Sequence, residues 1–567
     1  MGFGGKGKSA LVNHWLAKMG EKNYEDAERI FGWTFFSQGA REIHTAADPF
    51  IISALKWFGD PDPSYGTAWD KGERLAKLIR KQKTILILDG IEPHQFLTPG
   101  IDEGKLKDES LRSLITNLVL SNNGLCIITS RFQLTDIASF RNSLAPVIEL
   151  PNLSPNTSIK LLRSLGVKKG TDEELKNVAK KIDYHALALK LMGSYLNIVF
   201  DGEINRYQEV LFFDKQIDNA SHAEKIMGAY EKLFADKPEL DILYLLGLFN
   251  RITSKVETHS LLSAPAIKNL TENLKKLNFR EFKKTLARLR ETQLLSPVNE
   301  LSPESIDAHP LVREYFGNRL KEKFPEAWKQ GHNAIYQFLK NSSSYDIDSF
   351  EKMVLLYDAV VHGCYAGEFE DVFNNLYLPR IFQKNKFFLM DIYGAVGCEI
   401  ESLSCFFTNK WNKIVDSLSD TNKIILFDLI SYRLRTIGGF FEAIEPALIA
   451  KELYIKNRNF SEAAKVLRSL INIYLYVGHF DKALENAKES VKYADLSEDL
   501  SQSVINRTRL GHVYHQLGKL CDAENSFIEA ENLLKTSRAD YGKFLVGGGD
   551  VPPENSTIEK LVISPIM

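Results

Sequence analysis

The chain has 567 residues, of which 44% are hydrophobic and 25% charged, as is typical of folded globular proteins. This length predicts about three to five domains. The formal net charge of −2 excludes the global basic field that draws proteins to nucleic acid, and no apolar run approaches the roughly 18 residues needed to cross a bilayer.

The five cysteines are odd in number and contain no C-x-x-C spacing. This pattern argues for a reducing compartment and against a structural zinc site. With no signal peptide or membrane span in the sequence, we interpret the chain as a cytoplasmic protein.

The most specific motif lies at the start of the chain, where residues 2–9 read GFGGKGKS and fit the phosphate-binding pattern G-x-x-x-x-G-K-[ST]. Glycines let backbone N–H groups curl around phosphate oxygens. Lys8 is predicted to reach the β- and γ-phosphates, and the Ser9 hydroxyl to bind Mg²⁺. A chance glycine-rich segment is the alternative. The candidate nucleotide-binding residues here are Gly2, Gly4, Gly5, Lys6, Gly7, Lys8, Ser9 and Ala10.

Residues Ala10 to Met19 are predicted to form a helix whose positive N-terminal end faces the phosphates. A P-loop normally follows a buried strand, and no strand precedes Gly2 in this sequence. Either a nearby segment substitutes for that strand or the sequence is the continuation of a longer one. We favour the second expectation, in which an effector domain would lie upstream.

Strands and helices then alternate. Arg29 to Ser37 is dense in aromatic residues and predicts a buried strand, and two helices follow at about Pro49 to Phe58 and Trp69 to Arg80. Strands that alternate with helices predict a right-handed parallel α/β sheet.

The second predicted strand, Thr84 to Asp89, runs through four apolar residues into an acid. The carboxyl ends of such strands face the ligand crevice, which places Asp89 to hold Mg²⁺. Glu92 is placed to orient or deprotonate a hydrolytic water and is the candidate catalytic residue. A plain turn acid for Asp89 and a structural role for Glu92 are the alternatives.

A third predicted strand, Gly124 to Ser130, ends at Arg131, which could sense the γ-phosphate or be a surface residue. A fourth is predicted at Val147 to Leu150, before Pro151.

These motifs together resemble signal-transduction NTPases of the STAND class, which includes the NB-ARC and NACHT proteins of plant immunity, apoptosis and bacterial antiviral defence. The resemblance rests on the P-loop, on the L-D-G-I-E segment at residues 88–92 and on the I-T-S-R segment at residues 128–131. It is strongest over residues 1–330. It implies ATP/ADP and Mg²⁺ as cofactors and, for the bacterial branch, an N-terminal effector and C-terminal tetratricopeptide repeats.

Two histidines follow the order of the family's motifs. The segment D-Y-H-A-L-A-L at residues 183–189 occupies the place of the G-x-P-L-A-L motif near the nucleotide, with Tyr184 and Ala186 where Gly and Pro are usual. The resemblance implies that His185 lies at the nucleotide, and that His309, before Pro310, contacts the ADP β-phosphate in the resting protein. A satisfied core or capping histidine is the alternative for both.

The resemblance and the sequence pattern divide the chain. We expect a P-loop NTPase domain lacking its first strand at residues 1–153, a small helical domain at 154–225 and a winged helix at 226–325. Degenerate helical repeats at 326–420 and a solenoid of tetratricopeptide-like repeats at 421–540 follow, with a Gly/Pro-rich disordered tail at 541–567. The winged helix is expected to bury surface rather than to bind nucleic acid.

The repeats are visible at a spacing of 40 residues, with large and small side chains in fixed places. Each unit buries its face only against its neighbours, so the array should form a curved surface suited to protein ligands. The clearest aligned positions are Ile430, Leu470 and Leu510; Gly438, Gly478 and Gly518; and Ala443, Ala483 and Ala523.

The leading hypothesis is therefore an ADP/ATP switch, a slow ATPase in bacterial defence or regulation, whose repeats bind a protein trigger and which oligomerises when activated. Two other readings stay open. One is a repeat scaffold with an inactive nucleotide-binding domain, and the other is an ATPase that cycles continuously to remodel a client.

Overall fold

A computed structural model describes residues 1–35, 47–96, 103–211, 221–249, 258, 261–300, 303–342, 350–382 and 396–545. The chain forms two compact units, Met1–Lys410 and Trp411–Met567. Within these described ranges, no helix combines the length and the apolar character that a membrane span requires.

A parallel sheet of three strands in the order β1-β2-β3 lies in the first unit: β1 is Arg29–Thr34, β2 is Thr84–Asp89 and β3 is Leu125–Ile128. The central strand is buried from Thr84 to Leu88, because it has neighbours in the sheet on both sides and helices on its faces. The register places Thr34 opposite Asp89 and Leu88 opposite Ile128, so all three strands end at the same edge. The three predicted strands are confirmed; residues 36 and 37 of the first lie outside the described residues.

The helices of this part are α1 (Lys8–Glu21), α2 (Asp48–Trp57), α3 (Ala68–Arg80) and α4 (Glu109–Leu120). Thr67 and Asp70 form a capping box that starts α3. Gly72 lets α3 approach α4 closely, since a Cβ there would lie 2.2 Å from the Ser110 carbonyl oxygen. The apolar faces of α2, α3 and α4 close over β2, which fixes the strand ends that carry the site.

The fourth predicted strand, Val147 to Leu150, is wrong: the described sheet contains no strand there. Instead, the backbone of this segment hydrogen-bonds to the backbone of Met1. The Met1 amino group donates to the Ile148 carbonyl (2.7 Å), and the Leu150 N–H donates to the Met1 carbonyl (2.8 Å). One residue offers too short a partner for a ladder, so the apolar run forms no strand.

A group of helices follows: α5 (Pro155–Ser164), α6 (Asp172–Lys181), α7 (Ala186–Phe200) and the short α8 (Tyr207–Leu211). Ser154 caps α5, and a Thr171/Glu174 capping box starts α6. The apolar residues of α7 are buried from Leu187 through Leu196, so this helix is the core of the group and its first turn is held in a fixed place.

Further along are α9 (His222–Leu233), α10 (Pro238–Leu246), α11 (Phe279–Glu291) and α12 (Pro310–Lys323). The chain doubles back before α12, where the Ser296 N–H donates to the Asp307 carbonyl at 2.8 Å. Glu231 of α9 is 5% exposed and accepts hydrogen bonds from Lys323 (2.7 Å) and Arg319 (3.1 Å) of α12. This buried ion network ties α12 to α9.

The first unit ends with α13 (Pro325–Ser342), α14 (Phe350–Ala366), the turn Phe369–Asp371, which runs into a π-helix at Val372–Phe382, α15 (Val396–Ser404) and the short strand β4 (Phe407–Asn409).

The second unit contains the short strand β5 (Lys413–Ile414) and an array of helices. They begin every 20 residues: α16 is Asp420–Thr436, α17 Phe440–Lys456, α18 Phe460–Tyr476, α19 Phe480–Leu496, α20 Leu500–Gln516 and α21 Leu520–Leu545. The predicted 40-residue repeat of helix pairs is thereby confirmed.

Glycines and alanines at fixed places explain where the first helix of each pair ends and how closely the two helices pack. Gly438 and Gly518 have φ values of +82° and +72°, which L side chains adopt only with strain, and each ends the first helix of its pair. Ala443 and Ala483 are fully buried, which lets the paired helices pack closely. The last helix continues to Leu545, beyond the start predicted for the tail at residue 541, and the rest of that tail lies outside the described residues.

Candidate functional site

The P-loop has the backbone conformation that its glycines permit. Gly5 (φ +75°) and Gly7 (φ +96°) are left-handed, and α1 begins at Lys8 directly after them. The first-turn N–H groups of α1 therefore open onto the loop, where an anion would also meet the positive end of the helix.

The Lys8 ammonium points back across the loop. Its Nζ donates to the carbonyl oxygens of Gly2 (2.5 Å) and Phe3 (3.2 Å) and lies 3.9 Å from Glu92 Oε1. Burial lowers the pKa of Lys8, against the opposing effect of Glu92, which favours the charged form. The predicted phosphate-binding lysine is thus half-buried inside the loop.

Ser9 and Asp89 are brought together across the sheet edge. The Ser9 hydroxyl lies 2.8 and 2.9 Å from the two Asp89 carboxylate oxygens. Thr129, at the end of β3, donates to Asp89 Oδ1 (2.6 Å) and accepts from the Gly90 N–H (2.8 Å), so the carboxylate is held in orientation. A hydroxyl and a carboxylate are the oxygen ligands that Mg²⁺ prefers.

This pair fits Mg²⁺ bound together with phosphate oxygens and water, rather than in a cage made by the protein. The part of the chain that the structure describes contains no group of three or more His, Cys, Asp or Glu side chains that could hold a metal.

Glu92 lies in a short 3₁₀ turn after β2, between two cations. Its Oε1 is 3.9 Å from Lys8 Nζ and 3.8 Å from Arg131 Nε, and its side chain is 14% exposed. A Cβ at Gly4 would lie 3.4 Å from the Arg131 guanidinium carbon, so Arg131 touches the loop. The predicted water-orienting acid and sensor arginine therefore lie at the P-loop.

His185 joins the loop to the helical domain. Its Nδ1 accepts from the Ala188 N–H (3.3 Å) and so caps α7, while Nε2 lies 2.9 Å from the Gly4 carbonyl oxygen, to which it donates. The Leu187 N–H also donates to the Gly5 carbonyl at 3.1 Å. Both ring nitrogens have partners, so His185 positions the P-loop backbone.

His309 caps α12 in the same way, with Nδ1 accepting from the Leu311 N–H at 3.2 Å. That bond places the ring proton on Nε2, which can donate to a ligand. The pKa of His309 is lowered to about 4, first by burial and then by the nearby basic side chains Lys190, Arg131, His185 and Lys8. Lys190, Arg131 and Lys8 outnumber the one carboxylate, Glu92, that lies beside Lys8 and Arg131, and a surplus of positive charge is suited to an anion.

The segment that carries His309 also touches the loop directly, because a Cβ at Gly4 would lie 3.3 Å from Leu311 Cδ1. The start of α12 thus lies over the P-loop.

Not every predicted residue contributes a side chain. Lys6 Nζ lies 3.5 Å from the Leu150 carbonyl and 5.3 Å from the Phe3 ring, and Ala10 is exposed on α1. Lys6 and Ala10 can serve only through their backbone. The Gly2 N–H donates to the Ser130 carbonyl (3.1 Å), which anchors the loop to the end of β3.

Sequence reasoning missed Lys190. This lysine is half-buried on α7, its pKa is lowered by burial, and it lies close enough to His309 to lower the histidine's pKa. The signal was present, since Lys190 directly follows the H-A-L-A-L segment and lies one helical turn beyond Ala186.

No protein-family model and no curated protein matches the sequence. Among solved structures, the chain is similar to a crystal structure from Pyrococcus horikoshii described as a signal transduction ATPase with numerous domains (STAND) protein with a tetratricopeptide repeat sensor. The two are 16% identical, the match covers 96% of this chain and 81% of that one, and the TM-score is 0.41.

Proposed function

We propose that this chain is a nucleotide-operated signalling ATPase of the STAND class, in which tetratricopeptide-like repeats bind a protein trigger. The single observation that carries the proposal is the placement of His309 and Leu311 of α12 against the P-loop. A nucleotide-binding loop that is covered by a distant helix start can be gated by moving that helix.

The phosphates of ADP or ATP would lie among the loop N–H groups, Lys8 and Arg131, with His309 Nε2–H as a further donor. Lys190 adds positive charge nearby. These groups come from the P-loop, the end of β3, α7 and α12, so the anion would join four separate segments of the first unit. Charge-assisted hydrogen bonds of this kind are about twice as strong as neutral ones.

Ser9 and Asp89 would hold Mg²⁺, which when bound supplies positive charge to the phosphate oxygens. Glu92 would orient a water molecule and accept its proton, since its carboxylate lies at the same edge of the sheet as Lys8 and Arg131. The reaction would be slow and would serve to reset the switch.

In the resting state, ADP would hold the start of α12 on the P-loop. A protein ligand on the repeats would favour the open form, permit exchange for ATP with Mg²⁺ and expose surfaces through which copies of the chain associate. Moving such an equilibrium from 1:99 to 99:1 requires about 5.5 kcal/mol of differential binding. Helices α9 to α12, with the doubled-back segment before α12, would form the winged helix that moves.

The nucleotide that the purified full-length chain releases on heat denaturation tests the proposal, together with ATP turnover in the absence of any ligand. Bound ADP and little turnover are expected. Steady turnover would instead favour the continuously cycling ATPase. Absence of nucleotide, combined with no binding of added ADP or ATP, would favour the scaffold with an inactive nucleotide-binding domain.

A further inference from the structure

The first helices of the repeat pairs carry a cluster of arginines. Arg435 lies on α16, Arg468 on α18 and Arg509 on α20, and all three side chains are half-buried. Helix α18 packs against both α16 and α20, so these three first helices lie side by side. The arginines therefore lie on three neighbouring helices.

These arginines are close enough to affect one another. The pKa of Arg509 is lowered by burial, and Arg435 lowers it further while Tyr476 opposes the shift. The pKa of Arg468 is lowered by burial and then by Arg509, against Glu462 and Asp499. Like charges that meet at a half-buried place cost free energy unless a counter-charge is present.

Arg509 differs from its near neighbour Arg507. Arg507 forms ion pairs with Asp495 (2.7 Å) and Glu529 (3.4 Å), whereas Arg509 has no ion pair anywhere in the described part of the chain. Arg468 hydrogen-bonds to the Gln502 side-chain amide, and the guanidinium of Arg435 lies 5.2 Å from the Tyr432 ring centre. Of these two arginines of α20, Arg507 therefore has carboxylate partners among the described residues and Arg509 has none.

Other charges define the limits of the cluster. His512, on the same helix as Arg509, has its pKa lowered by burial and then by Arg509 and His515, so it adds no full charge at neutral pH. At the opposite end, Asp428 lies near Arg435 and Lys465. With Glu462 and Asp499 near Arg468, the cationic surface is short and bordered by acids.

Apolar and aromatic surface accompanies the arginines. Tyr476, which raises the pKa of Arg509, is 73% exposed and stacks on Phe440 with ring centres 5.0 Å apart. Ile505, one helical turn before Arg509, is 37% exposed. Aromatic side chains beside arginines are typical of the centres of protein–protein interfaces.

We infer that this arginine cluster is the docking site for a short acidic segment of a protein partner, with carboxylates that pair with Arg509 and Arg468. Carboxylates match the planar fork of arginine in a bidentate geometry. A long polyanion such as nucleic acid is disfavoured by the acids that border the cluster. An acidic segment would thus be the trigger. Its binding to the arginines does not depend on the function proposed above, whereas its effect on ADP release does.

The test uses the full-length chain and a fluorescein-labelled peptide of alternating Glu, Asp and Leu residues, followed by fluorescence anisotropy. A matched peptide with Gln and Asn in place of the acids is the control. We expect the acidic peptide to bind and the control peptide to bind at least about tenfold more weakly. Affinity should fall as salt is added.

Arg509→Gln should weaken the binding of the acidic peptide at least about tenfold, and Arg468→Gln should also weaken it. Lys488→Gln is the matched control, because it removes the same charge from an exposed position on the second helix α19. Arg509→Gln should fold, since it relieves repulsion with Arg435 and Arg468; circular dichroism checks this, and Arg468→Gln provides a second variant.

Equal binding of the two peptides, or unchanged binding by both arginine variants, would overturn the inference. Displacement of the acidic peptide by a 20-nucleotide single strand of thymidines at equal concentration would assign the site to nucleic acid instead. ADP release measured in the same samples separates the two proposals. Peptide binding without ADP release keeps the docking site and contradicts the trigger role.

Discussion

Replacing His309 separates the cap that it forms on α12 from the phosphate contact that we propose for it. His309→Ala removes both, whereas His309→Asn keeps a side-chain oxygen that can cap the helix and removes the Nε2–H donor. A hydrogen bond to a charged group contributes about 1.5–3 kcal/mol. Both variants should therefore bind ADP about 10- to 150-fold more weakly than the parent.

The pH dependence of ADP binding gives a second readout. In the ligand-free protein the pKa of His309 is about 4, below its ordinary value, because of burial and nearby positive charge. Protonation therefore opposes folding, and the stability that comes from the neutral ring is lost as pH falls from about 6.5 towards 4. A bound phosphate would raise this pKa, so parent affinity should rise by up to about tenfold from pH 7.5 to 5.5 relative to His309→Asn.

Isothermal titration calorimetry with ADP on the parent and both variants, at pH 7.5 and 5.5, measures these effects. Urea unfolding without ADP measures how much the cap contributes to the free energy of unfolding. Loss of the cap in His309→Ala should lower this free energy by about 1 kcal/mol, whereas that of His309→Asn should stay near the parent value. Equal ADP affinity in the parent and His309→Asn at both pH values would refute the phosphate contact and leave His309 as a capping residue.

Three further changes test other features of the first unit. Glu92→Gln should keep ATP binding and lose hydrolysis in a single-turnover assay; hydrolysis at the parent rate would make Glu92 structural. Gly5→Ala should weaken ADP binding more than Gly7→Ala, because its Cβ would lie 2.6 Å from His185 Cε1 whereas nothing lies within 4 Å at Gly7; equal effects in calorimetry would contradict the contact. Asp48→Asn should raise stability at pH 8 more than at pH 5. Burial and a nearby carboxylate raise the pKa of Asp48 from 3.8 to about 7, so its cost to folding grows as pH rises from about 3.8 to 7 and is complete at pH 8; urea unfolding at both values checks this.

The elements with strong local signals could be predicted from the sequence. The buried run from Thr84 to Asp89 is a strand, and the 40-residue spacing of small residues gives the helix pairs. Val147 to Leu150 has the same apolar character but lacks a neighbouring strand in the described residues, and strand formation depends on that distant partner.

Ser9 and Asp89 could be singled out because a motif specifies their side-chain chemistry, and the structure places them 2.8 Å apart, while their binding of Mg²⁺ stays a prediction. The hydrogen bond from His185 to the Gly4 carbonyl could not be predicted from the sequence, because it joins residues that are 181 positions apart. Tyr184 shows a further limit. It takes a left-handed conformation (φ +54°), at a place where the STAND proteins that the sequence resembles usually have the less strained glycine, and only the folded chain reveals that conformation.

The central claim is that the P-loop binds a nucleotide through Lys8, and ADP affinity of Lys8→Ala tests it most directly. Lys6→Ala is the matched control, because the Lys6 side chain points to the Leu150 carbonyl rather than across the loop. Calorimetry should show ADP binding by the parent and Lys6→Ala, and a loss of at least about tenfold in Lys8→Ala. Equal ADP affinity in all three proteins, or no binding by the folded parent, would contradict the account.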